Sequence, residues 1–406
     1  MTSTGPTVGS DQPLRWLISI CLLTLSFGST AKAVGIRLPN QDPEAIARGD
    51  AFVATADNPS AIYYNPAGIT QLEGQNLRAG LYLISPGVTF KPPGGASVEA
   101  DSAFQPVPQL YYVNTLKNLP LSFGLGVYAP YGLALDWGNS VPFRTAATSG
   151  ELKYLCFNPV VAWKISPSLS IAIGPTINYS TADLKRGISP LNPADEFRAE
   201  GEDTAFGFNA GIRWQPHEKW AFGLNYRAAT TMEYQGTSEA FPYFPATDTT
   251  AKMNFPQFVV GGVSFRPNEK WNLEFDLDWT DWSDLKGIEF QGTLPGPFTL
   301  PLNYRSSLIY DFGVTHQLGD GYFASVGYIY SENSSPDTDF NPLIADGNLH
   351  LGSIGLGHRG ERWDWAVGYH FAFNGSREVS GNTNPSVDGT YRVLNHAFNL
   401  AVTLKF

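Results

Sequence analysis

Few cysteines, no long apolar run and no surplus of basic charge set the first limits on this chain of 406 residues. Of its two cysteines, Cys21 lies in an amino-terminal apolar stretch and Cys156 is left unpaired, which excludes a disulfide framework and a cysteine-based metal site. Past Phe27 no segment approaches the roughly 18–20 apolar residues of a membrane helix, and mean hydropathy is −0.15. The six histidines are scattered and show no metal-ligand spacing. A net charge of −11 and a pI near 5.0 argue against nucleic acid or an anionic lipid surface as partner; acidic surface loops are the plainer source of that charge. No local motif for a lipase- or protease-type site is present, so neither an enzyme nor a cofactor or metal is expected.

Aromatic residues make up 14% of the chain, charged residues only 16%, and glycines number 41. A membrane β-barrel has this mixture, because alternating faces dilute hydropathy and aromatic girdles mark the lipid interfaces. At the amino terminus, Arg15 precedes an apolar stretch from Trp16 to Phe27, and Ala31-Lys32-Ala33 supplies a small-x-small cleavage pattern. Residues 1–33 therefore read as a secretory signal, with the mature chain starting at Val34.

From Gly74 onward, connections alternate short and long. Short turns fall at Lys117–Pro120, Ser166–Ser168, Gln215–Glu218, Pro267–Lys270, Gly319–Gly321 and Gly360–Arg362. Long segments rich in Gly, Pro, Ser and Asp fall at about 91–105, 131–149, 185–202, 236–250, 282–300, 332–346 and 376–389. Seven long loops interleaved with six short turns require fourteen strands, with both barrel ends on the short-turn side. The strands show the matching period of two. Trp271, Leu273, Phe275, Leu277 and Trp279 form one face, and Asn272, Glu274, Asp276 and Asp278 the other. Trp220, Phe222, Leu224 and Tyr226 form another apolar row, and the last strand carries Phe398, Leu400, Val402, Leu404 and the terminal Phe406 on one face. A soluble sandwich also has period-two strands, but the aromatic weight and the export signal favour an all-β, fourteen-stranded antiparallel transmembrane barrel over residues 74–406. A terminal aromatic of this kind resembles the signal read by barrel-assembly machinery.

Residues 34–73 read differently. Asp42-Pro43-Glu44 followed by Gly49 is the signature of a short capped helix, and Asn58-Pro59 and Asn65-Pro66 repeat the cap-then-proline arrangement. Such compact turns cannot join a strand ladder, and a plug (hatch) inside the barrel is the natural place for them.

At these residues the chain resembles the FadL/TodX family of outer-membrane transporters. The resemblance rests on Asp57-Asn58-Pro59-Ser60, Tyr64-Asn65-Pro66-Ala67-Gly68, Tyr131-Gly132-Leu133-Ala134, Asn254-Phe255-Pro256, Thr280-Asp281-Trp282-Ser283 and Asn303-Tyr304-Arg305 in that order. It implies a monomeric barrel with an amino-terminal hatch that passes long-chain fatty acids or other hydrophobic small molecules by passive diffusion. Cargo would leave sideways into outer-membrane lipid where the third strand bends inward. An aromatic-hydrocarbon channel of the same family, a general porin, or an adhesin-type structural barrel are the competing readings.

The resemblance also assigns residues. Asn65, Pro66 and Ala67 match the family's hatch motif; helix capping by Asn65 with Pro66 at the first helical position explains them equally. Pro130 and Gly132 fall at the family's lateral opening, where proline cannot donate to a ladder and glycine allows a bend; a plain loop start is the alternative. Ile36, the third mature residue, matches an apolar residue that reaches into the ligand pocket, against a disordered chain end. Arg186 aligns with a basic residue near the ligand carboxylate, against a solvated loop charge. The second basic group expected ahead of Tyr304 is absent, since Leu300-Pro301-Leu302-Asn303 carries no charge. Glu274, Asp276 and Asp278 make a ladder of acids that would face arginines on neighbouring strands rather than a metal.

Overall fold

The computed structural model describes residues 36–101 and 104–406; the secretory signal and cleavage site expected from the sequence lie outside the described residues. Fourteen antiparallel strands close into one barrel. They are β1 (Gln75–Lys91), β2 (Gln105–Thr115), β3 (Leu121–Tyr128, resumed at Gly132–Asp136), β4 (Ser149–Ser166), β5 (Leu169–Arg186) and β6 (Glu196–His217). They continue with β7 (Trp220–Arg227 and Thr230–Phe241), β8 (Phe244–Phe255 and Phe258–Asn268), β9 (Trp271–Thr280 and Gly287–Gln291) and β10 (Phe298–Pro301 and Ser307–Gly319). The last four are β11 (Tyr322–Ser331), β12 (Leu349–Arg359), β13 (Trp363–Phe373) and β14 (Gly389–Lys405). Closure is made by β1 on β14, from Asn76↔Lys405 through Lys91↔Thr390.

Side-chain alternation sets the two faces. On β9, Trp271, Leu273 and Leu277 are exposed outward, whereas Asn272, Glu274, Asp276 and Asp278 are buried inside. At the short-turn end, exposed Trp163, Trp214, Trp220, Trp271 and Trp363 form one aromatic girdle, as a membrane interface demands.

Three of the expected long loops instead contain paired strand, 236–250 over most of its length. The 185–202 and 236–250 segments pair with each other, Gln235↔Glu202 through Phe241↔Glu196, and β7 turns directly into β8 around Pro242. Within 282–300, Gly287–Gln291 pairs with Phe298–Pro301. These ribbons extend the wall beyond the other loops.

Residues 36–73 fill the lumen. Helix α1 (Pro43–Ala47) is capped by Asp42, whose side chain accepts from the Glu44 N–H; α2 (Ala61–Tyr64) runs into a 3-10 turn over Pro66–Gln71. The acids of β9 hold this hatch, and not through arginines on neighbouring strands. Asp276 accepts from the backbone N–H of Phe52 and Val53, both at 2.8 Å. Glu274 accepts from Ala54 and Thr55 at 2.7 and 3.1 Å, from the Thr55 hydroxyl, and from Arg48 at 3.2 Å. Opposite, Arg78 of β1 pairs with Asp42 at 2.5 Å and Glu44 at 3.0 Å. The hatch lies so close to the wall that a Cβ on Gly223 would come within 2.1 Å of the Val53 carbonyl, and one on Gly327 within 1.9 Å of the Gly49 nitrogen.

Charged acceptors to buried N–H groups contribute about 1.5–3 kcal/mol each. Replacing Glu274 and Asp276 together by alanine is therefore expected to leave a closed barrel with a loosened hatch. Limited proteolysis of the folded protein should cut within residues 48–58 at least about tenfold faster than in the parent; an unchanged cleavage rate would reject this anchoring role.

Candidate functional site

Pairing in the wall lapses between β6 and β7, from Asn209↔Arg227 to Glu202↔Gln235, between β8 and β9 and between β9 and β10, and at β3, where the amino-terminal segment lies. β3 follows β4 along its whole length, from Leu121↔Trp163 to Tyr128↔Cys156 and again from Gly132↔Lys153 to Asp136↔Ser149. Its ladder with β2 stops at Leu110↔Val127. Above that level β2 carries Pro106 and Pro108 and is paired with β1, the placement prolines require at a strand edge. Pro130 and Gly132 lie in and beside the Ala129–Tyr131 break, as the sequence pattern indicates.

The amino-terminal segment covers this break from inside. Leu38 N–H donates to the Pro130 carbonyl, and Gly132 N–H to the Ile36 carbonyl, both at 2.8 Å. Arg37 and Tyr131 are thus directly opposed as an isolated antiparallel bridge. The next residues grip both edges. Gln41 donates to Ala129 at 2.8 Å, while Tyr111 of β2 donates to the Gln41 carbonyl at 3.1 Å and Gln109 to that of Asn40 at 3.3 Å. Arg37 fixes the segment sideways: its guanidinium pairs with Asp278 at 2.6 and 2.8 Å, donates to Thr280, and lies 3.8 Å from the Phe258 ring centre.

Ile36 is buried and lines a cavity of about 120 Å³ above the hatch. Its walls are mainly apolar, from Leu38, Tyr82, Ile84, Trp282, Tyr304, Ile309, Ile329 and Leu351. Its polar lining includes Glu332, Asp346, His370 and Asn395, and its cation, Arg37, is already paired with Asp278. A cap of Phe90, Trp137, Phe143, Phe340 and Tyr391 belongs to the same buried cluster as Ile36. Arg377 ties two of the cap's loops through Asn333, Ser335 and Asp337.

Asn65 joins hatch to wall and caps a helix at once. Its Oδ1 accepts from the Ala67 N–H at 3.2 Å, and its Nδ2 donates to the Val53 carbonyl at 2.8 Å and the Ile212 carbonyl of β6 at 3.0 Å. Pro66 occupies the first helical position, and Ala67 is fully buried. Arg186, by contrast, does not line the central cavity. It sits at the outer end of β5, with its guanidinium 5.2 and 4.9 Å from the ring centres of Phe197 and Phe298. Those rings belong to an apolar cluster with Ala199, Ala240, Phe290 and partly buried Leu184, beside a cleft of about 60 Å³. At the short-turn end, under the hatch, a third cavity of about 520 Å³ is lined by charged groups including Arg48, Arg266, Arg359, Glu44, Asp57 and Glu218.

Sequence reasoning missed Arg37 and Arg227. Arg37 adjoins the singled-out Ile36, and Arg227 falls on the inward parity of the strand whose outward row is Trp220, Phe222, Leu224 and Tyr226. Parity was the available signal for the latter.

Comparison with known proteins agrees with this geometry. Residues 24–406 match the family model described as outer membrane protein transport protein (OMPP1/FadL/TodX). The long-chain fatty acid transport protein of Escherichia coli (strain K12) is 22% identical over 344 residues, covering 72% of this chain and 77% of that protein. Outer membrane protein P1 of Haemophilus influenzae is 21% identical over 390 residues, covering 80% and 83%. Among solved structures, a Pseudomonas aeruginosa FadL homologue superposes with a TM-score of 0.82 at 16% identity, covering 92% of this chain and 100% of that one. The Pseudomonas putida toluene transporter TodX gives 0.70 at 16% identity, covering 91% and 99%. A closed fourteen-stranded barrel, an internal hatch and a family match across nearly the whole chain place it in the bacterial outer membrane, and it belongs to the FadL/TodX family of outer-membrane transporters of hydrophobic compounds.

Proposed function

We propose that the protein takes up long-chain fatty acids by passive diffusion and releases them sideways through the break in β3. In this reading residues 1–33 direct export and are removed, residues 34–73 are the hatch, and residues 74–406 the barrel. The mature chain works as a monomer, placed by the barrel-assembly machinery, and acts as a conduit, not an enzyme. The observation that carries the reading is the seating of Ile36-Arg37-Leu38 against the β3 break, with Asn40 and Gln41 held from β2. A wall opening backed by a short hydrogen-bonded segment is the arrangement a lateral gate requires, and this supports the reading. Opening it releases the segment's hydrogen bonds and the Arg37–Asp278 pair, whereas a path straight down must breach Glu274, Asp276 and the Arg78 pairs.

Physical chemistry favours the sideways route for greasy cargo. An acyl chain gains about 0.8 kcal/mol for each CH₂ it buries, and the cavity beneath the hatch is ringed with charge. Capture would begin at the outer apolar cleft, where Arg186 supplies a cation for a carboxylate; among the described residues no acid contacts it. The tail would then pass to the cavity at Ile36. Neutral hydrocarbons are the second reading, and the acidic Glu332 and Asp346 in that cavity favour them.

Three measurements follow. Cysteines at positions 37 and 131 occupy a directly opposed, non-hydrogen-bonded pair, where Cα atoms lie about 4.5 Å apart; the Arg37→Cys/Tyr131→Cys disulfide is expected to stop uptake and reduction to restore it. Equal uptake in both redox states would dismiss lateral release. Asn65→Ala loses a cap and two wall or hatch bonds, at roughly 1–3 kcal/mol in all, and should change uptake while the barrel still folds; parity with the parent would remove Asn65 from gating. In a host lacking its own fatty-acid transporter, labelled oleate should enter and Arg186→Gln should lower that entry severalfold, with labelled toluene little affected. Toluene entry without oleate entry would establish the hydrocarbon reading instead.

A further inference from the structure

Directly below the β3 break lies a buried cation with no acid. Arg227 is only 4% exposed. One of its terminal nitrogens donates to the Tyr128 hydroxyl and the other lies 3.6 Å from the Cys156 sulfur. Its guanidinium sits 5.3–5.8 Å from the ring centres of Tyr128, Tyr63 and Phe258. Among the described residues no carboxylate contacts it. Burying an uncompensated charge costs several kcal/mol, and an ionisable group at membrane depth inside a barrel signals a ligand or a relay.

A second observation points the same way. The Nε–H of Arg227, the Nε–H of Arg37 and the hydroxyl of Tyr63 are all buried without a hydrogen-bond partner. All three groups surround one ring: Phe258 lies 3.8 Å from the Arg37 guanidinium carbon, 5.8 Å from that of Arg227 and 6.5 Å from the Tyr63 ring. Of the carboxylates near this cluster, Asp278 is taken by Arg37 and Thr280, and Asp50 accepts from Asn40 and Tyr64; Asp311 also acts on Arg37. Three donors therefore share one apolar floor and lack acceptors, which is the inverse of a carboxylate's two acceptor oxygens.

We propose that this cluster is a binding site for the carboxylate of an anionic amphipathic cargo, received by Arg227 and Tyr63 as the molecule moves from the cavity at Ile36 toward the break. The site rests on the lateral-release reading above. It assigns a selectivity step deeper than Arg186. Tyr128 ends the first half of β3 and Tyr63 lies two residues before Asn65, so an anion drawing on Arg227 competes with its hydrogen bond to Tyr128 of the wall and its stacking on Tyr63 of the hatch.

The test compares labelled oleate with labelled 9-octadecene, which has a similar chain and no carboxylate. Arg227→Met is expected to lower oleate uptake at least tenfold and octadecene uptake by less than twofold, with Arg227→Lys retaining more oleate uptake than the methionine variant. A parallel fall for both cargoes would make Arg227 a structural post, and no fall for oleate would remove it from the route; either result overturns the proposal. Should Arg227→Met fail to assemble, Tyr63→Phe deletes only a hydroxyl that has no partner. It should cost oleate uptake about threefold to tenfold and spare octadecene, and oleate uptake equal to the parent's would overturn the proposal. Binding of oleate labelled with ¹³C at its carboxyl carbon to the purified barrel separates this site from the exit route. A resonance that shifts in Tyr63→Phe supports the site even if the disulfide lock leaves uptake intact, and an unmoved resonance rejects it even if the lock blocks uptake.

Discussion

The middle of the hatch is positioned by carboxylates of β9 that accept its backbone N–H groups. Four consecutive amides, Phe52 to Thr55, end on Asp276 and Glu274. Because the contact is to main chain, it specifies a path and not a side-chain sequence; it tolerates any residue there that keeps its N–H. Glycines on the wall let the path run close enough for those bonds, and Arg48, Arg37 and Arg78 supply the counter-charge that keeps the buried acids and hatch from repelling one another. Remove the acids and the glycines have nothing to approach.

That arrangement divides the lumen into two solvents. The short-turn half holds the hatch, its ion pairs and the charged cavity beneath it. The loop half is mainly apolar, from Ile36 and Tyr82 up to the ring cluster of Phe90, Phe143 and Tyr391, with Glu332 and Asp346 among its polar lining. The break in β3 and its covering segment lie between these halves, so the apolar half meets the bilayer without passing through the polar one.

Much of this was legible in the chain. Period-two contrast on β9 and β13 and the alternation of turn lengths indicate the strand count, because lipid on one side and water or protein on the other impose opposite demands on successive residues. The Asn-Pro pairs expose the hatch, since capping chemistry is local. What escaped was what lacked that contrast or that locality. The ribbons around Pro242 and Pro295 stand clear of lipid, so Thr237, Ser238 and Thr249 alternate with other polar residues and read as loop. The partners of Glu274 and Asp276 are over two hundred residues earlier in the chain, where spacing carries no signal. The ring partners of Arg186, Phe197 and Phe298, likewise come from strands that spacing does not bring to it.

The closure of β1 on β14 has a consequence for the order of events during biogenesis. These strands join the residues directly after the hatch to Gly389–Lys405, so the ring is completed only when β14 docks on β1. The hatch is bonded to β1, β6 and β9 alike, so the seam that closes the wall also encloses the hatch, and those bonds hold β1 near its place while the long loop to β14 loses its closure entropy.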